Sequence, residues 1–139
     1  MKTTLNSLLT MAAGVALSAA AAYGQNQLNA MIPFEFRTAS GIQPAGEYRI
    51  LPVIHDGAMM RMQNVDTGRS ALTGIGTPNS NPNENVAKLV FKCGSESGCA
   101  LWAVKMGDGR GWTYKAPKLK PSEQERIAVI YVGSRPAAE

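Results

Sequence analysis

The sequence has little of the residues with which enzymes and metalloproteins do their chemistry. Its 139 residues include one histidine, His55, and two cysteines, Cys93 and Cys99, and aromatic residues make up only 6%. His55 beside Asp56 could act as a base, but no Gly-x-Ser-x-Gly sequence is present to expose a serine nucleophile. Two cysteines without a second pair of ligands argue against a structural zinc site. We therefore expect no cofactor, no metal and no enzymatic activity, with a small secreted hydrolase as the alternative.

The chain also lacks a stretch of about 20 strongly apolar residues, which a membrane-spanning helix needs. Its N-terminus has instead a basic Lys2, a shorter apolar run over residues 5–17 and the small residues of Ala22-Tyr23-Gly24. This pattern predicts a secretory signal peptide over residues 1–24, cleaved before Gln25. The mature protein is then periplasmic or extracellular. In that setting the two cysteines predict one structural disulfide.

Charge is sparse and basic. Removing residues 1–24 from the 139 leaves 115 residues, one exported β-domain over 25–139, and loss of Lys2 lowers the net charge from +4 to +3. Within residues 105–120, Asp108 is the sole acid among five cations: Lys105, Arg110, Lys115, Lys118 and Lys120. Outside the cytoplasm this pattern favours an anionic envelope polymer or another envelope protein as partner rather than nucleic acid; the simple alternative is a solvated surface.

The mature chain has almost no helical periodicity and reads as short strands between turns. Ile32, Phe34 and Phe36 alternate with polar residues, and Tyr48 and Ile50 repeat the pattern. About seven such strands predict an all-β fold, a small antiparallel β-barrel or sandwich.

Turn residues predict connecting loops over residues 38–46 and 77–85 and a tight hairpin turn at 66–68. Near the C-terminus, Ser122 and Glu125 have the spacing of a capping box, which predicts one short helix over residues 122–128. The β-branched residues that follow Arg126 compete for a last strand.

Residues 86–106 give the clearest hairpin. A disulfide between Cys93 and Cys99 requires both side chains on one face of the sheet, and counting outwards places Phe91 opposite Leu101 and Leu89 opposite Ala103. The other face then pairs Lys88 with Val104, Val90 with Trp102, and Lys92 with Ala100.

Several short sequences recur together in small exported bacterial proteins of unknown function. Ile-Pro-Phe-Glu-Phe at 32–36 and Pro-Ala-Gly-Glu-Tyr at 44–48 resemble the "IPF-x-F" and "PAG-x-Y" motifs of that group. Leu-Val-Phe at 89–91, Trp102 and the stretch 122–126 resemble its later "LVF", "W" and "S-x-x-ER" positions. The resemblance implies a shared β fold and no particular activity. The chain departs from the group at the hairpin tip, where it has the two cysteines.

Two further constellations have possible chemical roles. Met59, Met60 and Met62 near His55 could bind copper, which makes a periplasmic copper carrier the third hypothesis; Met60 and Met62 share a strand face, however, and are typical core residues. The carboxylate pairs Glu123 with Glu125 and Glu35 with Glu47 are the candidates for glycoside cleavage by a hydrolase.

The favoured binding site lies in the basic segment. Trp112 and Tyr114 share a strand face and could stack on a sugar polymer, while neighbouring cations attract its negative charge. The candidate binding residues are Arg110, Trp112, Tyr114, Lys115, Lys118 and Lys120. The alternative is that the two aromatic side chains belong to the core. The sequence thus favours an exported, non-catalytic β-domain, a binding or structural module of the cell envelope.

Cleavage before Gln25 is tested by N-terminal sequencing of the protein recovered from the exported fraction. We expect the first residue to be Gln25. Recovery of a membrane-bound form that retains residues 1–24 would contradict the prediction.

Overall fold

A computed structural model describes residues 27–53 and 58–133 of the chain. The expected signal peptide 1–24, the cleavage site before Gln25 and the His55 turn lie outside these residues. The described part is all β, as the sequence predicts, and contains no helix.

The strands form two sheets. Their bounds are β1 (Leu28–Ile32), β2 (Phe36–Thr38), β3 (Gly41–Gln43), β4 (Gly46–Pro52), β5 (Met60–Asn64), β6 (Ser70–Leu72), β7 (Thr77–Pro78), β8 (Ala87–Gly94), β9 (Gly98–Met106), β10 (Gly111–Thr113) and β11 (Glu125–Tyr131). Sheet A has the order β1-β4-β5-β6, and sheet B has the order β11-β8-β9-β10-β7, with β2 on β9 and β3 on β2. The strands beyond the expected seven include the very short β3 and β7, which lie inside the segments predicted to be loops over 38–46 and 77–85.

Alternation of apolar and polar residues explains sheet A. Tyr48 and Ile50 of β4 point inward, as predicted, and Ile50 lies opposite Met62 of β5. Met60 and Met62 are fully buried in the core, while Met59 is half-buried. The inward row is therefore apolar, as the sheet pattern predicts, except for the buried Asn64 at the end of β5.

The segment 32–36 connects the two sheets and is not one continuous strand. β1 ends in sheet A at Ile32, and β2 begins in sheet B at Phe36. Pro33 lacks the N–H that a continued ladder needs. The Phe36 ring packs edge-on against Tyr48 of sheet A at 5.2 Å and Phe91 of sheet B at 5.5 Å between ring centroids. This aromatic contact joins the sheets at the centre of the core.

The close approach of β4 to β5 explains the glycine of the Pro-Ala-Gly motif. Gly46 has a φ of +154°, and a Cβ at this position would lie 3.1 Å from Asn64 Nδ2. Asn64 is buried, and its Oδ1 accepts hydrogen bonds from the N–H groups of Asp66 and Thr67. Asn64 therefore stabilises the predicted turn after β5 through these two hydrogen bonds. A side chain at position 46 would displace Asn64, so glycine is the residue that fits there.

The β8–β9 hairpin contains the predicted disulfide, with Cys93 directly opposite Cys99. Phe91 lies opposite Leu101, as expected, but a β-bulge follows and Leu89 pairs with Val104 instead of Ala103. The uniform register predicted for Lys88, Val90 and their partners is therefore wrong; Lys88 pairs with Lys105 and Val90 with Ala103. The bulge turns Val104 into the core, where it is fully buried, and leaves Trp102 as the additional residue.

The short helix predicted over residues 122–128 is also wrong, because β11 runs from Glu125 to Tyr131 and pairs with β8 along its whole length. No helix begins at Ser122, and the neighbouring Glu123 instead stabilises the loop before β11 and the tip of the β8–β9 hairpin. Its carboxylate accepts hydrogen bonds from the Lys120, Glu96 and Ser97 N–H groups and from the Ser97 hydroxyl. The local capping signal is weaker than a ladder of seven paired residues.

Glu123 fixes the tip of the disulfide hairpin, and its pKa makes this testable. The Lys120 N–H above all, then the Ser97 hydroxyl and the Glu96 and Ser97 N–H groups, lower the pKa of Glu123 from 4.5 to about 2. A lowered pKa stabilises the fold above pH 4.5, and that contribution is lost as the pH falls towards 2. We expect Glu123→Gln to be less stable at neutral pH and to show a shallower loss of stability over this range in urea unfolding. Parallel pH profiles of the two proteins would contradict this.

Candidate functional site

The structure separates the residues of the predicted binding segment. Trp112 and Tyr114 are 4% and 5% exposed and belong to the core, so their ring faces are covered and the predicted role in stacking on a polymer is withdrawn. Arg110 is exposed and pairs with Asp108, with 2.7 Å between Nε and Oδ2. Three lysines lie exposed on the connection between β10 and β11: Lys115, Lys118 and Lys120.

A cleft opens beside β9, because two different strands share one of its edges. β2 pairs with β9 in parallel at Cys99 and Ala100, and β10 pairs with it antiparallel from Ala103 to Lys105. Between them the Tyr114 N–H donates to the Trp102 carbonyl at 2.7 Å. The diverging ends of β2 and of the chain after β10 leave a volume of about 260 Å³.

The cleft is lined by cations, hydroxyl groups and small apolar side chains. Arg37 and Lys115 contribute the charge, Thr38 and Thr73 the hydroxyls, and the remaining lining residues are Ala39, Ala100, Leu101, Ala116 and Pro117. None of these residues is acidic. Within the described part of the chain, neither Arg37 nor Lys115 forms an ion pair, whereas Arg110 pairs with Asp108 and Lys120 pairs with Glu96 at 3.4 Å. The cleft therefore holds two cations without an ion-pair partner, although Glu35 lines an adjoining cavity together with Arg37.

The cleft continues as a shallow depression on the far side of Arg37 and Pro117, lined also by Lys92, Leu119 and the hairpin tip. We call the cleft and this depression together the Arg37 groove. Lys92 Nζ lies 4.2 Å from the centroid of the Trp102 ring and 3.9 Å from Glu125 Oε1. Three cations thus follow one another along the groove, from Lys115 through Arg37 to Lys92.

Rigid elements hold two parts of the groove wall, Arg37 and the hairpin tip, whereas Lys115 to Pro117 lie on the connection after β10. Arg37 is fixed by the pairing of β2 with both β3 and β9. The tip residues Ser97 and Gly98 line the depression, and they are held by the disulfide and by the Glu123 carboxylate. A site on such supports loses little conformational freedom on binding.

Tyr114 lies behind the Thr73 wall and has no hydrogen-bond partner for its hydroxyl in the described residues. Burial raises its pKa to about 12, although the nearby Thr73 hydroxyl opposes the shift. Thr73 Oγ1 itself accepts from the Met60 N–H and donates to the Gly74 carbonyl. Tyr114 is therefore a neutral core residue at any physiological pH.

The other candidate chemical groups lie outside the cleft. The Glu123 carboxylate is occupied by the hairpin tip, and Glu35 lines an adjoining cavity of about 110 Å³ that shares Arg37 and the hairpin tip with the groove. Among residues 27–53 and 58–133, no group of three or more His, Cys, Asp or Glu side chains could hold a metal ion.

The sequence analysis did not identify Arg37, which lies at the centre of the groove. In the sequence Arg37 is one of several polar residues that alternate with apolar ones. The parallel pairing of Arg37 with Ala100, between distant parts of the chain, is what brings Arg37 to the groove. A parallel pair leaves no local turn signal by which it could be found.

Burial of Trp112 leads to a testable difference between the two tryptophans. Trp112→Ala removes a core side chain between Val104 and Pro78, and we expect a loss of about 3–5 kcal/mol in the free energy of unfolding. Trp102→Ala is the matched control, since Trp102 is only half-buried and its loss costs less. Urea unfolding monitored by circular dichroism measures both. Equal effects of the two substitutions would contradict the placement.

No protein-family model matches the chain, and neither the curated proteins nor the solved structures contain a match. In the described residues, no helix has the length and apolar character required to cross a bilayer.

Proposed function

We propose that the chain is an exported, non-catalytic binding module that recognises the acidic residues of an anionic envelope polymer through the Arg37 groove. The observation that carries the proposal is the pair of cations, Arg37 and Lys115, on one cleft whose lining contains no acid. Export is the expectation from the N-terminal sequence.

The charge of the groove favours a carboxylate or phosphate ligand. Arg37 offers a planar guanidinium, which can donate two parallel hydrogen bonds to a carboxylate, and Lys115 adds a second positive charge. Thr38 supplies a hydroxyl group at the same wall, whereas the Thr73 hydroxyl is already engaged by Met60 and Gly74. This combination of two cations and a hydroxyl group suits an acidic sugar, which presents a carboxylate among its own hydroxyls.

The size of the groove favours one residue of a polymer over a free small molecule. Its main cleft of about 260 Å³ is smaller than the roughly 300–1,000 Å³ of pockets that enclose small molecules. The continuation towards Lys92 adds only about 10 Å³, so the site holds one residue of the polymer and Lys92 adds a positive charge beside it.

A binding role is favoured over hydrolysis by the chemistry of the lining. The cleft is lined by no histidine, cysteine or carboxylate of the described residues, and Thr73 already uses its hydroxyl in two backbone hydrogen bonds. General acid–base catalysis needs such a group within hydrogen-bond distance of the substrate. The copper-carrier hypothesis is disfavoured because Met60 and Met62 are fully buried among apolar side chains.

The test is the affinity for polygalacturonate, an anionic polysaccharide with one carboxylate per sugar. A charged hydrogen bond is worth about 1.5–3 kcal/mol, so we expect Arg37→Gln to weaken binding by roughly tenfold to a hundredfold. Lys115→Gln should weaken it less, and wild-type binding should fall as salt shortens the screening length below about 10 Å. Isothermal titration calorimetry measures each affinity.

Arg49→Gln provides the matched control. Arg49 is an exposed arginine on sheet A, away from the groove, and its replacement changes the net charge by the same amount. The control should bind like the wild type. Equal losses for Arg37→Gln and Arg49→Gln would show that binding follows net charge alone and would refute the site.

A further inference from the structure

The main cleft of the Arg37 groove is more apolar than a site for an unsubstituted acidic sugar needs to be. Five of its nine lining residues are apolar, and all of these except Leu101 are alanine or proline: Ala39, Ala100, Ala116 and Pro117. Such short side chains leave the cleft open and give it an apolar surface. A uronic acid without substituents has no methyl group with which to cover this surface.

The apolar residues come from all three segments around the gap. Ala100 and Leu101 belong to β9, Ala39 follows β2, and Ala116 lies on the connection after β10. Ala100 and Leu101 are 8% and 4% exposed, so the packing of the sheet fixes their positions. A methyl group in the cleft therefore meets apolar atoms from several segments and leaves water, which is favourable.

The Thr38 hydroxyl is a hydrogen-bond donor beside this apolar surface. Thr38 Oγ1 accepts from the Ser40 N–H at 3.2 Å, and its own proton has no acceptor among the described residues. The Thr73 hydroxyl differs, because it already donates to the Gly74 carbonyl. The cleft thus offers one side-chain O–H that suits an acceptor such as a carbonyl oxygen.

We propose that the groove selects acidic sugars that carry an acetyl group on the same ring as the carboxylate, as an ester or as an amide. This inference rests on the proposed function, because Arg37 and Lys115 hold the carboxylate. The acetyl methyl group then lies against the apolar lining, and the acetyl carbonyl oxygen accepts the Thr38 proton. A methyl ester of the sugar is not selected, since it neutralises the carboxylate that the cations attract.

Isothermal titration calorimetry with three polymers of one backbone tests the selection. They are polygalacturonate, its O-acetylated form and poly(2-acetamido-2-deoxygalacturonate). All three have one carboxylate per sugar, and they differ only in having no acetyl group, an acetyl ester or an acetamide. One buried methyl group and one added hydrogen bond should make an acetylated polymer bind roughly tenfold more tightly than polygalacturonate. A preference for either acetylated polymer, or for both, supports the proposal and identifies the linkage.

The hydroxyl contact is tested by Thr38→Val, which removes the donor and keeps the shape of the side chain. We expect the ratio of acetylated to plain affinity to fall from roughly tenfold to roughly threefold. Thr67→Val is the matched control, because Thr67 Oγ1 accepts from the Arg69 N–H, also at 3.2 Å, and does not line the groove. The control should keep the wild-type ratio. Each ratio compares two ligands of one protein, so a change in stability affects both affinities alike.

The apolar contact is tested by Ala116→Leu, whose larger side chain occupies the space of the acetyl methyl group. We expect this variant to lose the preference for the acetylated polymers.

Equal affinities of the wild type for all three polymers would overturn this inference and leave the proposed function intact. Equal ratios in Thr38→Val and Thr67→Val would overturn it too. Absence of binding to every polymer, or binding that Arg37→Gln does not weaken, would refute the proposed function together with the inference.

Discussion

Strand β9 is the element on which the rest of the structure depends. One of its edges is paired with β8 along its length and closed by the Cys93–Cys99 disulfide. Its other edge is divided between β2, which is parallel, and β10, which is antiparallel. The two strands pair with different residues of this edge and approach it from opposite directions, which leaves a gap between them. The Arg37 groove lies at this gap, with Arg37 from β2 and Lys115 from the chain after β10, while Lys92 comes from β8.

The same division links the two sheets. β2 reaches β9 only because the chain leaves sheet A after Ile32 and crosses to sheet B by Phe36. The aromatic contacts of Phe36 with Tyr48 and Phe91 hold this crossing in the core. A substitution in this cluster therefore acts on the core and on the position of Arg37 together, because Arg37 follows Phe36 directly.

Local patterns in the sequence were sufficient for the fold class and for several of its contacts. Alternation predicted the inward positions of Tyr48 and Ile50, and cysteine spacing predicted the disulfide. Non-local pairing decided the rest. The bulge at Trp102 arises because the core needs Val104, and β11 forms because β8 offers a seven-residue partner. The sequence predicted only part of the site. Lys115 was among the predicted binding residues, but Arg37 and Lys92 were not. The groove forms only when β2 pairs with β9, and that pairing is not apparent from the sequence.

The most direct test of this account is an amide chemical-shift titration of the ¹⁵N-labelled chain with an oligomer of galacturonic acid. The groove predicts that the largest shifts fall on residues 37–39, 100–101 and 115–116, with smaller ones at 92 and 97–99. Saturation should occur with one affinity across these amides. Shifts spread evenly over the exposed arginines of sheet A, or confined to Arg110 and its neighbours, would contradict the account.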